Sequence, residues 1–341
     1  MSKRLLQHCA GIRHAARSSR SVLQEQPRHP IAGLRLPTRA PFHLEATARV
    51  LQRRPSNLVD VWDNGRYLRI LTIGDQLALV EVENRGTIDA PDVRYDVRRG
   101  EASASVGTSL RRILGLDVDP THLQRLAQTD ITLSAIALAL RGMRPPRFAE
   151  LFESFLNVIP FQQLSLDAGV AIVGRLIQRF GHQLEYGGRR YYATPSAQAI
   201  AAARLDSLRA CGLSSRKAAT LRTLGRMIAT GNLREKDIAA MTTRHALEAL
   251  KELPGIGPWS AALVLLRGLG RLDVFPPGDA GAARGLGLLL HLDRHRPLDR
   301  VVERFGDSRG YLYFCGLAAS LLSRGIIRPA PTEQPSATSD Y

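Results

Sequence analysis

Residues 253–279 decide the fold, and they read LPGIGPWSAALVLLRGLGRLDVFPPGD. A helical run precedes this segment, and an apolar run follows its first five residues. Gly255 and Gly257 flank one aliphatic residue, Ile256, so the backbone can turn sharply with N–H groups exposed at the start of the next helix. Such a turn can bind a phosphate through the backbone alone. The segment therefore predicts two helices joined by a tight, anion-binding turn.

A lone carboxylate, Asp279, follows a Pro-Pro-Gly turn at the start of another helical run. A helix start favours an ionised carboxylate through the helix dipole and the free N–H groups. Each part has an alternative interpretation when it is taken alone. Asp is a common helix N-cap, and Gly-x-Gly turns also occur in proteins that bind DNA without reacting with it. The joint pattern of the turn, Trp259 and Asp279 twenty residues further on is more specific than either part.

This joint pattern resembles the signature of the helix-hairpin-helix, Gly/Pro…Asp DNA glycosylases. The resemblance covers residues 34–327 and is strongest from 145 to 322. It implies an enzyme that flips a damaged base out of double-stranded DNA and cuts the bond between the base and C1′. It also implies that Asp279 is the catalytic carboxylate, which stabilises the positive charge that develops on the sugar. Asp273 is the rival carboxylate, and the family pattern favours a structural role for it.

Trp259 stands where members of the family with lyase activity carry a lysine. That lysine attacks C1′ and forms a Schiff base, which tryptophan cannot do. Lys217 and Lys251 lie elsewhere in the pattern and are poor substitutes. The resemblance therefore implies a monofunctional glycosylase that leaves an abasic site. A simple core aromatic is the alternative interpretation of Trp259.

Residues 160–165, which read PFQQLS, resemble the family's loop that wedges into the duplex. The resemblance implies that Gln163 fills the gap left by the flipped nucleotide. Gln162 is expected to hold the loop or to contact the opposite strand. Without the resemblance, this glutamine pair would be interpreted as part of a solvated loop.

The resemblance also indicates how the chain grips phosphate. We expect the grip to centre on the hairpin backbone at Gly255, Ile256 and Gly257, while Arg216 and Lys217 add sequence-independent charge contacts. A monovalent cation, Na⁺ or K⁺, is implied on the hairpin carbonyls near Gly255 and Gly257. We expect no other cofactor and no metal site made by side chains.

The pocket for the flipped base is expected to be lined by Trp259, Leu263, Leu317 and Phe161. In the best-known alkylbase enzyme several aromatic residues stack on positively charged methylated purines, whereas two of the corresponding positions here are leucines. Tyr311 and Tyr313 are candidates to compensate, and Arg309 matches a family position that supports the site. Alkylated purines of the 3-methyladenine type are the expected substrate. A glycosylase for an oxidised or deaminated base, or a non-catalytic damage sensor, is the alternative.

The composition agrees with a nucleic-acid partner. The 341 residues carry a formal net charge of +16, of which residues 1–40 contribute +7, so the body of the chain is itself basic. Cys9, Cys211 and Cys315 are far apart, which excludes an iron–sulfur cluster and argues against a zinc site or a disulfide framework. No apolar run is long enough to span a bilayer. We expect a cytoplasmic, nucleoid-associated monomer.

The predicted fold class is mainly α, with an N-terminal α+β antiparallel-sheet domain. Residues 1–33 are expected to form a disordered basic tail; their Arg- and Ser-rich composition superficially resembles an organellar targeting peptide. Residues 34–104 are the sheet domain, with a hairpin at Gly74-Asp75 and a third strand at 93–97. This unit resembles the domain that precedes the helical domains of 3-methyladenine DNA glycosylase II. Residues 105–327 are expected to be helical throughout, with the hairpin at 253–258, and residues 328–341 to form a second disordered tail.

Overall fold

The computed structural model describes residues 33–290 and 298–331. The predicted basic tail lies outside the described residues except for Gly33. Within the described ranges, no helix is both long and apolar enough to cross a membrane.

A five-stranded antiparallel sheet forms the N-terminal part of the chain, in the order β1-β5-β4-β3-β2. Its strands are β1 (Leu34–Arg35), β2 (Val61–Asp63), β3 (Arg66–Ile73), β4 (Gln76–Asn84) and β5 (Val93–Arg99). Gly74 has a φ of +59° and turns β3 into β4, as the Gly74-Asp75 pair predicted. Strand β2 was not predicted from the sequence, although Asn64-Gly65, with both φ values positive, is a strong signal for a two-residue hairpin.

Each face of the sheet is covered by a different element. Helices α1 (Leu44–Gln52) and α2 (Ala104–Ile113) share a hydrophobic cluster with one face of the sheet. A second hairpin, β6 (Gln183–Tyr186) and β7 (Arg189–Tyr192), packs on the other face through Tyr191. The expectation that residues 105–327 are wholly helical was therefore wrong at this hairpin.

The remaining elements are helices, which confirms the predicted fold class. They are α3 (His122–Thr129), α4 (Ser134–Ala139), α5 (Leu151–Leu156), α6 (Leu166–Phe180), α7 (Ala197–Ala202), α8 (Leu205–Arg209), α9 (Ser215–Ala229), α10 (Glu235–Ala240), α11 (Thr243–Lys251), α12 (Pro258–Leu263), α13 (Ala280–Leu289), α14 (Leu298–Glu303) and α15 (Arg309–Leu322). A π-helical turn, Val264–Leu269, extends α12. One large apolar cluster runs through these helices.

Hydrogen bonds hold residues 328–331 to the fold, so the prediction of disorder was wrong for these four residues, while residues 332–341 lie outside the described residues. His43 donates its Nε2 hydrogen to the carbonyl of Arg328 at 3.1 Å. The N–H of Ala330 donates to the carbonyl of Ala139 at 2.8 Å, and the Ala330 side chain is buried. This segment therefore joins α1 near the N-terminus to the end of α4.

A buried ion cluster ties the sheet to α5. Arg69 on β3 donates to Asp60 at 2.8 Å and to Glu153 at 2.5 Å, and all three side chains are buried. Removal of one partner would leave a buried charge without compensation, which is strongly destabilising. Because α5 leads directly into the loop at 157–165, this cluster positions the chain that enters the predicted site.

Candidate active site

A cleft of about 1090 Å³ brings the predicted site residues together. Its walls come from the end of α1, the loop that precedes α6, the start of α9, the hairpin between α11 and α12, the start of α13 and the last turns of α15. These segments are widely separated in the sequence. The described residues that line the cleft include six basic and two acidic side chains: Arg53, Arg54, Arg216, Lys217, Arg284, Arg324, Asp167 and Asp279. A cleft with this charge balance suits a polyanion.

Asp279 is held in this cleft by two donors from different elements. As the N-cap of α13, it accepts the N–H of Ala282 on Oδ1 at 2.8 Å. Its other oxygen, Oδ2, accepts the indole Nε1 hydrogen of Trp259 at 2.9 Å. Gly278, with a φ of +68°, provides the turn that precedes it. Asp279 therefore both caps α13 and lines the cleft, so the two interpretations of this residue are compatible.

Trp259 lines the cleft and is half-buried, so it is not a simple core aromatic. Its indole joins α12 to α13 through the bond to Asp279. The rival carboxylate, Asp273, is not among the residues that line the cleft. Lys251 is likewise outside the lining and pairs with Glu248 at 2.7 Å.

The hairpin has the predicted turn, but one of its backbone donors is already used. Gly255 has a φ of +73°, and Gly257 is the N-cap of α12. The Ile256 N–H donates to the carbonyl of Leu253 at 3.1 Å, and its side chain is buried in the helical core. The part of Ile256 in the predicted phosphate grip therefore stays a prediction. A Cβ added at Gly257 would meet nothing within 4 Å, so the backbone there is open to close approach.

The hairpin carbonyls named for a monovalent cation both accept hydrogen bonds within the protein. The Gly255 carbonyl accepts from the side-chain amide of Gln162 at 2.9 Å, and the Gly257 carbonyl accepts from the N–H of Ala261 at 2.9 Å. These two carbonyls therefore do not offer a free set of ligands. The cation stays a prediction.

Gln162 holds the loop that precedes α6 against the hairpin. Its amide nitrogen donates to the Gly255 carbonyl and to Ser260 Oγ, both at 2.9 Å. Of the two roles considered for Gln162, the structure therefore supports the holding of the loop. Gln163 is exposed, lines the cleft and has a φ of +56°, which is unusual for a residue other than glycine. The loop thus presents Gln163 in a left-handed turn at the edge of the cleft.

Lys217 also supports this loop. Its ammonium group donates to the carbonyl of Gln162 at 2.5 Å and to the carbonyl of Pro160 at 3.2 Å. Burial lowers the pKa of Lys217 from its usual value. Two of its three donors thus bind the loop, and its charge contact with DNA stays a prediction. Arg216 beside it is exposed and lines the cleft.

The predicted pocket residues all lie in the lining of the cleft: Phe161, Trp259, Leu263 and Leu317. Tyr313 lines it too, whereas Tyr311 is buried elsewhere and donates its hydroxyl hydrogen to the carbonyl of Met143 at 2.7 Å. Arg309 is outside the lining and donates to the Gly306 carbonyl at the start of α15. Of the two tyrosines considered, only Tyr313 can contact a base in this cleft.

The sequence did not predict four arginines that line the cleft: Arg53, Arg54, Arg284 and Arg324. Arg284 follows Asp279 by five residues, and this closeness was the one local signal available. Arg53 and Arg54 follow α1, far from the hairpin in the sequence. Nothing in their local sequence indicates that they reach this cleft.

Comparisons with known proteins match this architecture along most of the chain. A family model of the AlkA N-terminal domain matches residues 33–150, and a model of the HhH-GPD superfamily base excision DNA repair protein matches residues 156–306. The first model extends beyond the boundary predicted at residue 104 and takes in α2, α3 and α4.

Relatives and a solved structure agree with these models. A DNA-3-methyladenine glycosylase of Bacillus subtilis is 24% identical over 77% of this chain and 88% of its own length. DNA-3-methyladenine glycosylase 2 of Escherichia coli is 27% identical over 67% of this chain and 78% of its own length. A 3-methyladenine DNA-glycosylase from Archaeoglobus fulgidus is similar in structure, with a TM-score of 0.70 and 26% identity, and covers 85% of this chain and 99% of its own. The chain therefore belongs to the helix-hairpin-helix, Gly/Pro…Asp superfamily of base excision DNA glycosylases and is similar within it to 3-methyladenine DNA glycosylase II.

Proposed function

We propose that this glycosylase hydrolyses the bond between C1′ and alkylated purines in double-stranded DNA, and that it acts as a monomer. The observation that carries the proposal is the pair formed by Trp259 and Asp279 in a basic cleft large enough for a flipped nucleotide. The names of the relatives support alkylated purines as the class of substrate.

Asp279 is the residue that stabilises the transition state. As the bond to the base breaks, positive charge develops at C1′ and the ring oxygen of the sugar. A carboxylate already fixed by Ala282 and Trp259 needs no reorganisation to face that charge. It can also orient the water that attacks C1′. This role explains why an acidic side chain lies in a cleft that otherwise attracts phosphate.

A lyase step is not supported by the groups in the cleft. Lys217 is the one lysine among the described residues that line it, and its ammonium group is bonded to two loop carbonyls. A Schiff base requires a free amine next to C1′. Borohydride should therefore trap no covalent complex with DNA, and strands should break only after alkali or heat. A strongly trapped complex would contradict the monofunctional assignment.

The grip on DNA combines the hairpin and the loop. The open backbone at Gly257 provides the close approach for one phosphate, with Arg216 nearby as a charge contact. The exposed Gln163 is the side chain best placed to occupy the gap left in the duplex. Gln162 and Lys217 hold these two elements in register.

The direct test is base release from methylated genomic DNA, with the freed bases identified by mass. Release of 3-methyladenine and 7-methylguanine, together with alkali-labile abasic sites, is the expected result. Release of oxidised or deaminated bases alone would favour the alternative glycosylase specificity. Binding to DNA without any base release would favour a damage sensor. Sedimentation of the free protein as a dimer would contradict the monomer.

A further inference from the structure

Arg53 enters the base pocket from the N-terminal part of the chain. It ends α1 with a φ of +60°, a conformation that residues other than glycine rarely adopt. Its guanidinium carbon lies 5.5 Å from the centroid of the Phe161 ring. Both residues line the cleft. One face of the Phe161 ring is therefore already covered by a cation.

The guanidinium of Arg53 has a donor to spare. Its Nη2 atom is buried and has no hydrogen-bond partner in the protein. Buried donors normally have a partner, so this one is expected to find it in a bound molecule. Arg54 differs, because its guanidinium pairs with Asp167 at 2.5 Å.

Arg53 also lies in the same electrostatic neighbourhood as the reacting carboxylate. Burial raises the pKa of Tyr313 well above its usual value; the charge of Arg53 opposes this shift and the charge of Asp279 adds to it. Tyr313, Arg53 and Asp279 all line the cleft, as does Phe161. A base that binds in this cleft is therefore exposed to the positive charge of Arg53.

We propose that Arg53 is a specificity-determining residue that favours neutral purine lesions carrying a carbonyl acceptor over cationic methylated purines. This inference rests on the proposed function and refines it: the enzyme removes alkylated purines, and Arg53 lowers its rate on the cationic ones relative to neutral purines that carry a carbonyl. A neutral 6-oxopurine can accept the spare hydrogen bond from Nη2. A cationic base meets a like charge there, which is unfavourable. Leu263 and Leu317 do not offset this, since they provide no aromatic face for a cation.

The test compares two lesions that share the 6-oxo group and differ in charge. Hypoxanthine is neutral and 7-methylguanine in DNA is cationic. Single-turnover excision of each, from otherwise identical duplexes, is measured for the parent, Arg53→Gln, Arg53→Asn and Arg53→Lys. Asn tolerates a positive φ well, so Arg53→Asn provides a second neutral variant if Arg53→Gln folds poorly. Arg54→Gln is the matched control, since it removes the adjacent charge.

We expect both neutral variants to raise the rate ratio of 7-methylguanine to hypoxanthine by about tenfold or more. Arg53→Lys should keep the ratio close to that of the parent, and Arg54→Gln should leave it within about twofold. Equal losses on both lesions together with weaker DNA binding would make Arg53 a phosphate contact and overturn the inference. An unchanged ratio would overturn it too, while the proposed function would stand. Release of neither base by the parent would overturn the proposed function and this inference together.

Discussion

At the scale of single residues, the local sequence predicted some of the side chains in the site and gave no signal for others. Asp279 and Trp259 were predicted from the resemblance to the family, because both belong to one contiguous segment that matches its signature. The bond between them was not predicted, since it depends on how α12 and α13 pack. The place of Arg53 in the site could not be predicted from the sequence, because only the fold brings the end of α1 to this cleft.

The indole donor of Trp259 is expected to contribute to the rate. Trp259→Phe removes the hydrogen bond to Asp279 and keeps an aromatic ring. A hydrogen bond to a charged group contributes about 1.5–3 kcal/mol, so single-turnover excision should fall by about ten- to a hundredfold while DNA affinity holds. Trp62→Phe, a change at the chain's other tryptophan, is the control. A normal rate for Trp259→Phe would mean that the N-cap bond alone positions the carboxylate.

Gln163 is predicted to matter most when the lesion is well paired. Gln163→Ala should slow excision from a stable base pair more than from a mismatch, because unpairing costs a few kcal/mol in the first case and less in the second. Gln163→Gly separates the side chain from the backbone, since glycine adopts the positive φ of this position without strain. Equal losses on paired and mismatched lesions, in both variants, would leave Gln163 an ordinary loop residue.

At the scale of elements, the hairpin and the loop before α6 form one locked unit. Gln162 bonds the loop to the hairpin, and Lys217 on α9 bonds the loop from the other side. The sequence predicted each element by itself, because glycine turns and helix starts are local signals. It did not predict that Lys217 serves the loop, since a basic residue at a helix start is by default expected to be free in solvent.

The two hairpin glycines should respond differently to alanine. Gly257→Ala meets no atom of the protein within 4 Å, so the fold should hold while affinity for all DNA falls alike. Gly255→Ala requires a positive φ and places its Cβ 2.5 Å from the hydroxyl oxygen of Thr220, so it should also lower the free energy of unfolding. Urea unfolding and DNA titration of both variants make the comparison. If Gly257→Ala bound DNA with full affinity, the proposal that this turn binds a phosphate would be contradicted.

At the scale of the whole molecule, the order of strands and helices was largely predicted from the sequence. The contacts between segments that are distant in the sequence were not. The helical periods and the Gly74-Asp75 hairpin predicted the fold class. The short hairpin of β6 and β7 was missed although Gly187-Gly188 marks it, because flanking helical patterns dominated the interpretation. Residues 328–331 have no periodic pattern that predicts structure, and only their hydrogen bonds to His43 and Ala139 show that they are held to the fold.

His43 makes the contact between α1 and residues 328–331 sensitive to pH. Burial lowers the pKa of His43 below its usual 6.5, against a smaller raising effect of the bond to Arg328. The unfolded chain therefore takes up a proton before the folded chain does, so stability is full above about pH 6.5 and falls as the pH drops below it. His43→Asn keeps a helix N-cap and removes this titration, so the slope of stability against pH should become shallower.

Urea midpoints between pH 5 and pH 8 measure this slope. His122 also has a pKa lowered by burial, so part of the slope should remain in His43→Asn. Replacement of the exposed His245 by Asn is the control for the substitution itself. A slope identical to that of the parent in His43→Asn would contradict the assignment.

The identity of the catalytic carboxylate is the central claim, and a comparison of Asp279→Asn with Asp273→Asn tests it most directly. Single-turnover release of the base that the parent removes best is measured with DNA affinity for both variants. Asp279→Asn should lose about three or more powers of ten in rate and bind DNA as tightly as the parent or more tightly, since one negative charge leaves the cleft. Asp273→Asn should remain active. Near-normal turnover in Asp279→Asn, with Asp273→Asn inactive, would contradict the account.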